Sequence, residues 1–281
     1  VSSLLVNKVL NNNVIIADHP EHGEVVVIGK GIGFNRKPHE AIPLKSVEKL
    51  FILKNAQEQE QYKQLIPQVD EKLIEVINEA ILYIAQRSEI TLNEHIHIAL
   101  TDHIAFAIKR AEQDIAIHNP FLFETKEIYP LEYELAEHVM KQLEEKMGID
   151  LGQDEVGFVA LHIHSAMTNQ HITEVKEHSQ LIADLVGIIE EHFHYSIARH
   201  SLDYARMLTH LRFAIERIRR GERVQETSKL EELLRDEYPE LYSLAWKLTK
   251  VMEQRLKKPV YQAETSYLTM HLHRVAPKGA I

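Results

Sequence analysis

The sequence predicts a multidomain chain, a small antiparallel β-sheet module followed by two tandem all-α helical bundles. Three observations carry that expectation. The first 57 residues hold short β-branched runs separated by turn residues. From about Glu58 onward the apolar residues follow helical spacing instead. A pattern of 107–109 residues then occurs twice, which divides the helical part into two similar halves.

In the first module Leu4–Val9 is an apolar-rich run, and Asn11-Asn12-Asn13 marks a turn. Val14–Ala17 is a second strand, ended by His19-Pro20-Glu21-His22-Gly23. Glu24–Ile28 continues with three valines and an isoleucine, and Gly29-Lys30-Gly31-Ile32-Gly33 breaks it. Val47–Leu53 is the expected fourth strand. Four short strands scarcely bury a core alone, so self-association into a homodimer is expected.

Gln57–Lys63 is polar and rich in good helix formers, and reads as a connector. Leu73, Val76, Ile77, Ala80, Ile81 and Ile84 follow one helical face. Asn93 is the expected N-cap of a helix over His95–Ala111. Asn119-Pro120 and Tyr129-Pro130 are boundaries after which helices restart. Asp154–Met167 is the last helix of the first copy, and similar segments recur to Val275. The expected division is residues 1–57, a linker at 58–64, and bundles at 65–172 and 173–281.

Composition excludes several chemistries. The chain has no cysteine, so disulfides, thiolate catalysis and cysteine-built zinc sites are ruled out. It lacks an apolar run of about 20 residues, so no membrane insertion is expected. Its start carries no signal-peptide pattern, so a cytoplasmic location is expected. Net charge is −10. Residues 1–57 carry +2 of it, from Lys8, Lys30, Arg36, Lys37, Lys45, Lys49 and Lys54 against Asp18, Glu21, Glu24, Glu40 and Glu48. The bundles are therefore acidic and repel polyanions, whereas the first module tolerates one.

Two constellations carry chemistry. The first is Lys8 and Asn11-Asn12-Asn13, with Gly29-Lys30-Gly31-Ile32-Gly33-Phe34 after the third strand. Asparagine amides suit base edges and phosphates. Glycine admits a close backbone, and an aromatic ring stacks on an unpaired base. Two ordinary turns plus a core phenylalanine is the plain alternative. The spacing fits neither a dinucleotide fingerprint nor a phosphate loop.

The second constellation is histidine. His103-Ile104-Ala105-Phe106-Ala107-Ile108-Lys109-Arg110 returns as His210-Leu211-Arg212-Phe213-Ala214-Ile215-Glu216-Arg217. Leu161-His162-Ile163-His164 returns as Met270-His271-Leu272-His273. His103 thus pairs with His162 and His210 with His271, positions able to share one face of a bundle. Such imidazoles accept phosphoryl groups, or else fix the core as buried polar groups. His164 and His273 lie about 200° round a helix from their neighbours, and read as supporting or surface residues. Arg110 and Arg217 fall about 10 Å further along the face of the first histidine, placed to hold a phosphoryl group or to form a surface ion pair.

The order of these motifs resembles the Bgl/Sac family of bacterial transcriptional antiterminators. Lys8–Val14 and Gly29–Phe34 resemble its RNA-binding domain, and the duplicated region resembles its two phosphotransferase-system regulation domains. The block from Leu92 to Arg110 is most similar to glucose-specific members. The resemblance implies RNA contacts at Lys8, Asn11, Asn13, Gly29, Lys30, Gly31 and Phe34. It implies phosphorylation at His103, His162, His210 and His271, and no cofactor or bound metal. Lys30 stands where several members have arginine. The implied partners are a leader-mRNA antiterminator stem-loop, a sugar-specific permease with a IIB-type domain, the carrier protein HPr, and a second copy of the chain. The alternative is a histidine–carboxylate metal-dependent enzyme with an accessory β domain, suggested by His95-Ile96-His97 and Asp102-His103. Against it, no His-Glu-x-x-His and no nucleophile elbow occurs. A duplex-binding repressor is disfavoured by the acidic bundles.

Overall fold

The computed structural model describes residues 3–43, 50–222 and 228–277. Five antiparallel strands come first: β1 (Ser3–Asn11), β2 (Val14–His19), β3 (Gly23–Gly29), β4 (Ala41–Pro43) and β5 (Leu50–Leu53). Their order in the sheet is β4-β1-β2-β3-β5. The first three strands fall where the β-branched runs predict. Residues 47–49 of the expected fourth strand lie outside the described residues, and Leu50–Leu53 pairs with β3 through Val26 and Leu53.

β4 is the strand the sequence hides. Its single buried residue, Ile42, pairs with Leu4 at the sheet edge, where Pro43 is tolerated. Among its described residues the module therefore has five strands rather than the four expected.

Period-two alternation gives the sheet two apolar faces. Leu4, Val6, Ile15, Ala17, Val25, Val27 and Ile42 share one face with Ile32. Val14, Val26, Ile28 and Leu53 share the other. That second face is closed by helices of the same chain. α1 (Ala56–Leu65) is capped by Asn55, whose side chain accepts from the backbone of Gln57 and Glu58. Tyr62, Ile66, Ile74 and Ile98 then pack onto the sheet. Gln59 pins the helix by donating to the carbonyls of Leu53 at 3.0 Å and Glu24 at 3.1 Å. The connector is thus a packed helix. Its cover removes the burial argument for self-association, so dimerisation needs another warrant.

Among the described residues ten further α-helices follow: α2 (Glu71–Ser88), α3 (Ile96–Ala111), α4 (Leu122–Ile128), α5 (Pro130–Met147), α6 (Gln153–Thr168), α7 (Ile172–Phe193), α8 (Leu202–Arg220), α9 (Ser228–Glu237), α10 (Pro239–Leu256) and α11 (Gln262–Val275). The N-cap of α3 is His95, not the expected Asn93. Asn93 still serves that helix start, accepting the His95 N–H at 2.8 Å.

Backbone contacts divide the chain into two compact units. One contains the sheet, the helices up to Asn119, and Leu131–Ile172. The other contains Pro120–Pro130 with Thr173–Ile281. α4 therefore departs from the expected division at residue 172. It packs on α8, where the Tyr204 hydroxyl donates to buried Glu124 at 2.7 Å.

Candidate functional site

α3 and α6 pack against each other and bring His103 and His162 together. Their ring centroids lie 4.7 Å apart, tilted by 36°. Glu155, two turns before His162 on α6, completes the cluster. One of its oxygens lies 3.0 Å from His103 Nε2 and the other accepts from Arg110 Nη2 at 2.5 Å. Burial works against ionisation of Glu155, but the His103 and Arg110 contacts outweigh it and hold its carboxyl below the usual carboxylate range.

The second unit repeats the arrangement with α8 and α11. The rings of His210 and His271 stack with centroids 4.3 Å apart and planes within 28°. Arg217 grips Glu264 through Nε at 2.7 Å and Nη2 at 2.8 Å. The carboxylate stands 3.9 Å from His210 Nε2, beyond hydrogen-bond reach. The two copies therefore differ in whom the glutamate serves. Burial, then the charges of His271 and Arg217, push His210 down to about 3. Burial and Arg274 also lower His271. Both rings of this pair are neutral at neutral pH, and a neutral imidazole offers a nitrogen lone pair to an electrophilic phosphorus.

Glu155 and Glu264 were not among the residues read from the sequence. They are separated by 109 residues, the same offset as His162 and His271. Arg110 and Arg217 are ion-paired to them rather than open to solvent. His164 is turned from the pair and meets Glu132 at 2.8 Å. His273 lies edge-on to Tyr238. His97 is buried against Phe51 of β5, with ring centroids 4.4 Å apart, and desolvation pushes it down to about 3. Among the described residues no group of three or more histidine, aspartate and glutamate side chains is arranged to hold a metal ion.

The asparagine turn and the glycine segment form one surface of the sheet module. Asn13 is buried, and its Oδ1 accepts from Gly31 N at 2.8 Å. Its carbonyl accepts from Gly29 N at 2.9 Å, and that of Asn12 from Gly33 N at 2.9 Å. Asn11 Oδ1 accepts from Asn13 N at 2.9 Å. Two glycines are obligatory here. Gly31 has φ of +66°, and a Cβ on Gly33 would sit 2.1 Å from the Asn11 carbonyl oxygen. Of the seven residues expected at RNA, Lys8, Lys30, Gly31 and Phe34 are exposed, and Asn11 is half-buried. Asn13 and Gly29 are buried and tie the two loops together. Phe34 is 62% exposed and so is open to stack on a base.

Residues 4–60 match the CAT RNA binding domain family. Residues 78–166 and 183–275 each match the PRD domain family. The "PtsGHI operon antiterminator" of Bacillus subtilis (strain 168) is 56% identical over 276 residues, 98% of each chain. The "GlcA/glcB genes antiterminator" of Staphylococcus carnosus (strain TM300) is 38% identical over 275 residues, covering 97% of this chain and 96% of that one. A solved structure titled "Crystal structure of GlcT CAT-PRDI" is 55% identical and aligns with a TM-score of 0.57, covering 59% of this chain and 99% of its own.

Proposed function

Because this chain belongs to the family of transcriptional antiterminators that join a CAT RNA-binding domain to two PRD domains, we propose that it governs glucose-uptake genes by gripping a stem-loop in their leader transcript. It is an RNA-binding regulator controlled by the sugar phosphotransferase system, not an enzyme. In this reading residues 1–57 hold the RNA, and residues 65–172 and 173–281 each carry one histidine pair. Bound protein blocks the overlapping terminator hairpin, and polymerase reads on.

The observation that carries the reading is the twofold histidine–histidine–glutamate–arginine cluster. An imidazole lone pair forms a new P–N bond as the bond between phosphorus and the donor side chain breaks, and the donor atom leaves with the bonding electron pair, its proton balance restored by solvent. The added oxygens compete with the glutamate for Arg110 or Arg217, which converts a small covalent change into a repacked helix pair. The sugar-specific permease, through its IIB-type domain, phosphorylates the first pair when sugar is absent and switches the protein off. HPr phosphorylates the second. The working form is a cytoplasmic homodimer, a reading that rests on the family resemblance and not on the size of the sheet. RNA contacts fall to Lys8, Asn11, Lys30, Gly31 and Phe34, with Asn13 and Gly29 shaping the surface they share.

The test is a reporter placed behind the leader of the Bacillus subtilis operon named for the relative. His103→Ala with His162→Ala should leave it on without sugar. A reporter that still needs sugar would contradict the assignment of the first pair.

A further inference from the structure

Three acids of α2, Glu71, Glu75 and Glu79, recur every fourth residue and form one stripe with a carboxylate about every 6 Å. The stripe lies on the loop surface of the sheet module. Glu71 Oε1 accepts the backbone N–H of Asn12 at 2.8 Å. Lys30 Nζ donates to Glu79 Oε1 at 2.8 Å and stands 3.4 Å from Glu75 Oε1. Asn12, Lys30, Gly31 and Phe34 face Glu71 and Glu75 across one open cleft. Glu79 is braced from behind by Lys146 of α5. Burial opposes its ionisation, but Lys146 and Lys30 outweigh that and hold its carboxyl below the usual range.

An amide N–H in a tight turn and a lysine ammonium are the donors a sugar–phosphate backbone would seek. Carboxylates already occupy both. Building on the functional reading above, we propose that the Glu71–Glu75–Glu79 face of α2 is an internal competitor for RNA, an acidic stand-in for phosphates that must withdraw before the transcript seats fully. Exposed ion pairs are individually weak, so the stripe biases binding and does not abolish it. α2 also packs against α3, the helix of His103. A charge change at His103 therefore acts on a helix in direct contact with the competitor.

The test measures binding of the full-length protein to the Bacillus subtilis leader hairpin by fluorescence anisotropy. The protein with Glu71→Gln, Glu75→Gln and Glu79→Gln keeps the side-chain shapes and loses the charges. A second protein with Glu134→Gln, Glu137→Gln and Glu144→Gln makes the same change in net charge at exposed positions of α5. The competitor predicts about tenfold tighter binding for the α2 variant, and less than about twofold for the α5 variant. Single Glu71→Gln should give part of the gain, which guards against misfolding of the triple variant. Equal effects of the two triple variants, or no effect of the first, would overturn the competitor while leaving RNA binding intact. Absence of hairpin binding by every protein would overturn the functional reading and the competitor with it.

Discussion

Replacing Arg217 with methionine should change the proton affinity of a residue it does not touch by hydrogen bond. Arg217 takes both oxygens of Glu264 at 2.7 and 2.8 Å, which holds its guanidinium beside the histidine pair. His210, 3.9 Å from the same carboxylate, is left at about 3 by burial and by the positive charges of His271 and Arg217. Arg217→Met removes one positive charge. Its Nη2 lies 2.8 Å from Glu264 Oε2, which is 3.9 Å from His210 Nε2, so the guanidinium is at most about 6.7 Å from that ring nitrogen. With an effective dielectric constant of about 20, the guanidinium opposes a protonated His210 by about 2.5 kcal/mol. At about 1.4 kcal/mol per tenfold, its removal raises the proton affinity of His210 roughly sixtyfold. The His210 midpoint would then move up from about 3 towards its ordinary value. Breaking a buried ion pair costs about 3–5 kcal/mol, and the partial exposure of Arg217 together with proton uptake reduces that loss. The assay is an NMR titration of the histidine Cε1–H signals, with His210 assigned by the signal missing from His210→Gln. A midpoint that stays at about 3 in Arg217→Met would refute the reasoning and leave burial and His271 as the causes.

Two further outcomes follow from the same geometry. His97 is buried against Phe51, and desolvation holds it at about 3 against an ordinary 6.5. The unfolded chain therefore binds a proton that the folded chain refuses, and stability present above pH 6.5 is lost as pH falls towards 3. Between pH 7 and 5 the unsubstituted protein should lose about 2 kcal/mol more than His97→Leu in urea unfolding; equal losses would contradict this. Gly33→Ala places a Cβ against the Asn11 carbonyl and should cost about 1–3 kcal/mol locally. Hairpin binding should weaken while helical circular dichroism holds, and unchanged affinity would count against the joined loops as the RNA surface.

The duplicated sequence made most of the molecule legible. An offset of 107–109 residues identified the histidines, and in both copies the paired rings lie against each other. β-branched alternation located β1, β2 and β3 because both sheet faces are buried. What stayed hidden depends on contacts distant in sequence. β4 has one buried residue, and its edge position is set by pairing with Leu4. α1 looked like a connector because Gln59 and Tyr62 find their partners in the sheet. α4 follows the first histidine helix in sequence but packs in the other unit, through a hydrogen bond spanning 80 residues to Tyr204. Glu155 and Glu264 shared the repeat offset, yet acids are too common on helices for that to single them out. The acids of the α2 stripe were not singled out for the same reason.

The account depends on phosphoryl groups reaching these imidazoles. Full-length protein should be incubated with radiolabelled phosphoenolpyruvate, the general phosphotransferase proteins and the glucose permease, and its acid-labile phosphate mapped to peptides. The prediction is label on His103 or His162 and on His210 or His271, lost when those residues are replaced by alanine. Label confined to other histidines, or none at all, would contradict the account.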